Sequence, residues 1–114
     1  MATLAEANAT ERAELFNGLA VAERALTTLF SPEKIYLMRF SELSPEVHFH
    51  IFPRYAAMTD LYLEESNEPV IDGPNFFSWA RKKFSSSRPE PTQEILQARW
   101  MLKDTISAYL AHPL

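Results

Sequence analysis

An α+β domain is predicted by three features of the sequence: one apolar stripe at helical spacing near the start, two β-branched and aromatic stretches, and two later amphipathic stretches. Leu15, Leu19, Ala22, Leu26 and Leu29 recur at intervals of four and three residues, which places them on one side of a helix over residues 10–29. Asn8 followed three residues later by Glu11 is an N-cap with its reciprocal acid, and Ser31-Pro32 ends the helix.

The pattern then shortens to a two-residue alternation. Residues 34–40 (Lys-Ile-Tyr-Leu-Met-Arg-Phe) read as a strand, and Ser41-Glu42-Leu43-Ser44-Pro45 as a turn. In residues 46–52, Val47, Phe49 and Ile51 share one face and Glu46, His48 and His50 the other, which gives the second strand of an antiparallel hairpin. Pro53 cannot donate to a ladder and so ends this strand or lies at an edge. Residues 54–74 carry Glu64, Glu65, Glu68 and Asp72 and read as an acidic loop, with Leu61-Tyr62-Leu63 as a short strand within it.

Asp72-Gly73-Pro74 marks a turn into a short helix whose stripe is Phe76, Phe77, Ala80 and Phe84. Arg81, Lys82 and Lys83 lie near its C-terminus, where cations suit the helix dipole, and read as a solvated helix end. Ser85-Ser86-Ser87-Arg88-Pro89-Glu90-Pro91 reads as a linker. Thr92 then caps a last helix to about Leu110, whose inward face is Ile95, Leu96, the Arg99 stem, Leu102, Ile106 and Tyr109. Trp79 and Trp100 read as core anchors of these two helices.

Composition narrows the function. A chain of 114 residues is one domain on length, and 46% apolar residues with eight Phe, four Tyr and two Trp are enough to build a core. The net charge of −4 argues against a protein that holds nucleic acid through its phosphate backbone. Cysteine is absent, so disulfides and thiolate metal sites are excluded and a reducing, cytoplasmic location is the expectation. No apolar run is long enough to span a membrane, and the start of the chain lacks a secretory pattern.

Two of the three histidines, His48 and His50, stand two apart on the polar face of the second strand. That spacing separates their Cα atoms by about 6.5–7 Å, so both imidazoles can serve one site. Glu46, His48 and His50 together span about 13 Å along a strand and cannot all reach one ion, so neither a metal nor another cofactor is assigned.

The stretch Glu46-Val47-His48-Phe49-His50-Ile51-Phe52-Pro53-Arg54 resembles the signature of the histidine triad (HIT) proteins, His-φ-His-φ-His-φ-φ with Pro-Arg often following, where φ is apolar. Every position matches except the first, where Glu46 stands in place of histidine. The helix and strand that precede it occur in the order that family uses, so the resemblance covers about residues 10–55. It implies a HIT-like fold, with the long helix packed on a small antiparallel sheet, and two C-terminal helices complete the chain. It also implies a hydrolase or nucleotidyl transferase acting on nucleoside phosphoramidates or dinucleoside polyphosphates. His48 matches the nucleophile that forms a nucleotidyl-histidine intermediate, and His50 the histidine that contacts phosphate. Glu46 becomes an orienting or proton-handling group, and Ser44 and Arg54 substrate contacts.

Three departures qualify the resemblance. A carboxylate at position 46 repels a polyphosphate. The family's Gly-Gln-Ser/Thr segment is replaced by Ser41-Glu42-Leu43-Ser44-Pro45, and only about eight residues precede the long helix where the family has several strands. A two-stranded hairpin is marginal unless something covers it, so either residues 56–72 add strands or a second copy of the chain does, and a homodimer is expected. The alternative function is a HIT-derived binding or interaction domain that holds a nucleotide or a partner chain without turnover.

Overall fold

Local signals at the chain's helix ends reappear as hydrogen bonds in the computed structural model, which describes residues 2–85 and 91–112. Helix α1 spans Ala9–Phe30, with the Asn8 side chain accepting from the Glu11 amide at 2.8 Å and the Glu11 side chain accepting from the Asn8 amide at 3.0 Å. This reciprocal pair satisfies two of the amides that a helix start leaves without partners. Ser31 closes the helix in the left-handed conformation (φ 47°), which lets its amide reach the Thr27 carbonyl. A short 3-10 turn, Leu4–Glu6, precedes α1.

Strands β1 (Lys34–Met38) and β2 (His50–Arg54) form a two-stranded antiparallel sheet in which Met38 pairs with His50, Tyr36 with Phe52 and Lys34 with Arg54. The second strand thus begins four residues later than its alternation suggests and runs through Pro53. Beyond Met38 the partner chain turns away at Ser41 (φ 56°), so residues 46–49 have no ladder to join. Pro53 is accommodated because β2 has only one neighbour and its other edge needs no amide.

The segment read as an acidic loop with a short strand is instead helix α2, Ala56–Ser66. Ala56, Ala57, Met58, Leu61, Leu63 and Glu64 are all good helix formers, and Met58 and Tyr62 fall one turn apart on the inward side. The three consecutive apolar residues at 61–63 imitate a strand, yet only Tyr62 is fully buried. Helix α3 covers Gly73–Ser85 and α4 covers Gln93–Ala111, the latter capped by Thr92 accepting from the Ile95 amide at 3.2 Å. The linker expected between them lies, over residues 86–90, outside the described residues.

The core forms where α2 and α3 meet one face of the hairpin. Phe76 is completely buried and meets the rings of Tyr62 (5.5 Å between centroids), Tyr36 (6.0 Å) and Phe52 (6.3 Å). Burying such a ring contributes about 2–3 kcal/mol. The long helix is not what covers this face: α1 packs on α4, where the Arg24 guanidinium lies 4.6 Å from the centre of the Tyr109 ring. The expectation of a long helix packed on the sheet is corrected accordingly. Residues 36 and 52 alternate onto the face that α3 fills with aromatic rings, so the sheet meets its largest apolar partner there.

The expected inward face of α4 holds only in part. Leu102, Ile106 and Tyr109 are half-buried, whereas Ile95, Leu96 and the Arg99 side chain are exposed. Trp79 packs into the core, but Trp100 is 70% exposed and anchors nothing. No helix among the described residues is long and apolar enough to cross a membrane.

Candidate functional site

The end of the hairpin that carries the histidines opens into a cleft of about 770 Å³ between the 40–44 loop and helix α3. His48, His50 and Ser44 line it from the hairpin side, and Phe77, Arg81 and Lys82 from α3. His50 is the first residue of β2 and His48 lies just outside the ladder. Their rings nevertheless meet edge to face with 5.2 Å between centroids, so the two-residue spacing does bring both imidazoles to one place.

His48 Nδ1 lies 2.8 Å from the Glu46 carbonyl oxygen. A carbonyl can only accept, so Nδ1 carries the hydrogen and donates it, which leaves the lone pair on Nε2. A fixed tautomer with a bare Nε2 is what a nucleophilic imidazole requires. It is the backbone carbonyl of residue 46 that makes this contact. Glu46 itself is exposed and does not line the cleft.

Around the histidines the walls are aromatic. Phe40 tilts against His50 at 6.2 Å and stacks on Phe77 at 6.2 Å with an 11° angle between planes, while Phe77 meets Phe52 edge to face at 5.5 Å. These rings tie the cleft floor to the core and leave Phe40 54% exposed at its mouth. Ser41, in its left-handed conformation, has a buried hydroxyl oxygen with no hydrogen-bond partner among the described residues. Such backbone costs about 1–2 kcal/mol and is retained where surrounding structure over-determines it. Among the described residues the lining is basic in charge: Arg81 and Lys82 against the single carboxylate of Glu42.

Of the residues singled out from sequence, His48, His50 and Ser44 come together here, whereas Arg54 does not. It shares the Phe52 face with His50 but sits at the far end of the strand, about 13 Å away along β2. There its Nη1 donates to the Tyr36 hydroxyl at 2.7 Å, its Nε lies 3.7 Å from Glu33, and its side chain is 13% exposed. Glu33 in turn accepts from the Thr59 hydroxyl at 2.6 Å, joining β1, β2 and α2. Arg54 is therefore occupied in holding the sheet to α2.

Sequence reading missed Phe40, Ser41, Phe77, Ser78, Arg81 and Lys82 as lining residues. For α3 the signal was present: positions 77, 78, 81 and 82 fall on one helical face, adjacent to the buried Phe76–Ala80 face. Among the described residues no group of three histidine, aspartate or glutamate side chains could hold a metal ion. Neither a protein-family model, a curated protein nor a solved structure matches this chain.

Proposed function

We propose that the cleft binds a nucleoside phosphate and that His48 carries out HIT-like hydrolysis or nucleotidyl transfer on it. The observation that carries this reading is the His48 ring, held with Nε2 bare beside His50 in a basic, aromatic-walled cleft. In the reaction, the Nε2 lone pair attacks the α-phosphorus and an N–P bond forms. The bond from phosphorus to the leaving group breaks with its electron pair, and the leaving group takes a proton from solvent in the open cleft. The positive charge that develops on the imidazole is stabilised by the Nδ1–H bond to the Glu46 carbonyl. Water then attacks phosphorus and gives up a proton to solvent, the N–P bond breaks with its electron pair returning to Nε2, and neutral His48 is restored as the nucleotide leaves. In this reading His50 and Ser44, which line the same cleft, contact the phosphate.

One observation favours a second reading, in which the cleft binds without turnover. The position that resembles the family's first histidine is a glutamate whose side chain lies outside the cleft, so it supplies no proton to a leaving group. Both readings are tested by incubating the protein with adenosine and guanosine phosphoramidates and dinucleoside polyphosphates, with His48→Ala as control. Nucleotide release that vanishes in the variant is the expected result. Ligand-induced stabilisation with no release in either protein identifies the binding reading, and neither effect overturns both.

The proposal includes a homodimer. Its support is the apolar surface left open: Phe16 is 76% and Trp100 70% exposed on α1 and α4, with Ile95, Leu96 and Leu110 also exposed.

A further inference from the structure

Helix α3 presents three different surfaces to its surroundings, and on one of them two cations, Arg81 and Lys82, hold no ion pair among the described residues. Phe76 and Ala80 fill the core. Trp79 and Lys83 both donate to the carboxylate of Glu65 on α2, so these two residues dock one helix on the other. Phe77, Ser78, Arg81 and Lys82 line the histidine cleft. No ion pair or hydrogen bond occupies the side chains of Arg81 or Lys82 among the described residues. Arg81 is instead laid over the Phe77 ring, its guanidinium carbon 5.8 Å from the centroid. That contact orients the planar donor set while leaving its N–H groups unengaged.

We propose that Arg81 and Lys82 form a second anion-binding position in the cleft, so that the protein binds its ligand more tightly with each phosphate beyond the first. The inference rests on the reading of the cleft as a nucleoside-phosphate site. Position follows from the ring series Phe77, Phe40, His50, which places α3's basic face across one cleft from the histidines. A first phosphate held by His48 and His50 leaves the next ones directed along the cleft toward α3. Arg81 offers a bidentate fork to phosphate oxygens, and Lys82 a point charge beside it. Among the described residues Glu42 is the only carboxylate on the lining, so the local field is positive although the chain as a whole carries −4.

The test is calorimetric titration with AMP, ADP, ATP and inorganic tripolyphosphate in EDTA at low salt. It compares the native sequence with the double variants Arg81→Gln/Lys82→Gln and Arg81→Lys/Lys82→Arg, their folding checked by circular dichroism. Affinity is expected to rise about tenfold from AMP to ATP, since two partly exposed charge contacts are each worth a few-fold. The glutamine pair should bring ATP down to the level of AMP, and the charge-conserving pair should keep the gradient. A gradient that survives in the glutamine variant overturns the proposal. Nucleotides that bind the native sequence with no gradient overturn it too, while the nucleoside-phosphate reading stands. Tripolyphosphate binding that depends on Arg81 and Lys82 and is no weaker than ATP binding supports the anion position and overturns the nucleoside part of that reading. Absence of binding by every probe overturns both.

Discussion

Arg54 and His48 show how neighbouring residues of one motif take on different tasks. The His48 ring is set by a carbonyl two residues back, a local interaction that its own backbone supplies. Arg54 is set by tertiary partners, Tyr36 and Glu33, and by the ring faces of Tyr36 (5.7 Å) and Phe76 (5.8 Å). Replacing it by alanine removes a charge-assisted hydrogen bond and two cation–π contacts in a largely buried place. Arg54→Ala should therefore cost about 2 kcal/mol of stability, read as a lower midpoint in urea. Nucleotide affinity of the folded variant should stay as it was. A variant of native stability that no longer binds would return Arg54 to the phosphate site. The sequence pattern could not separate these outcomes, because Pro-Arg after an apolar strand places the arginine on the His50 face without saying what meets it there.

Between elements, one carboxylate adds to the ring contacts of Tyr62 with Phe76 and Trp79 that dock α3 on α2. Glu65 accepts from Lys83 and from Trp79 Nε1 (2.9 Å), and the Lys83 hydrogen bond, with the cation's charge and the Trp79 bond, holds its carboxyl below the usual glutamate range. Because the folded value is the lower one, this contribution is complete above the ordinary glutamate pKa of about 4.3 and is lost as pH falls through the lowered one. Glu65 is exposed at the surface, so solvent screens the effect and it is small. A series of thermal melts from neutral to acid pH should show native and Glu65→Gln proteins converging as pH falls. Curves that stay parallel would mean that Trp79 packing alone docks the helices. The residues of this pair can be read from the sequence, but the acidic run at 64–68 and the triple apolar run at 61–63 imitate a loop and a short strand and hide the helix that carries Glu65.

Taken whole, the molecule is more extended than its length requires. Its radius of gyration is 16.2 Å, against about 13 Å for a compact chain of this size, and its extents are 45 × 32 × 28 Å. The reason is that the α1–α4 pair and the hairpin with α2 and α3 each cover one apolar face and leave another open, with Leu37 at 43% and Trp100 at 70% exposure. Sedimentation velocity over a concentration series should give a dimer, and Trp100→Glu should shift it to monomer by placing a charge on the uncovered face. A native protein that sediments as a monomer throughout would remove the dimer from the proposal.

What the order of residues determined here is local. Asn8 with Glu11, Ser31 and Thr92 mark helix ends because a side chain or a left-handed residue satisfies backbone groups within four positions. The two-residue spacing of His48 and His50 likewise brings two rings together before any packing is considered. Packing determined the rest. Which face of the hairpin is buried, which helix covers it, and that Arg81 and Lys82 join the histidines in one cleft all depend on contacts between elements, such as Tyr36 with Phe76 and Phe40 with Phe77. Alternation in residues 46–52 marks the Val47, Phe49 and Ile51 side as the apolar one, yet it is Phe52, on the His50 side, that joins the core. The buried ring of Phe76 marks that side, meeting the rings of Tyr36, Phe52 and Tyr62 there.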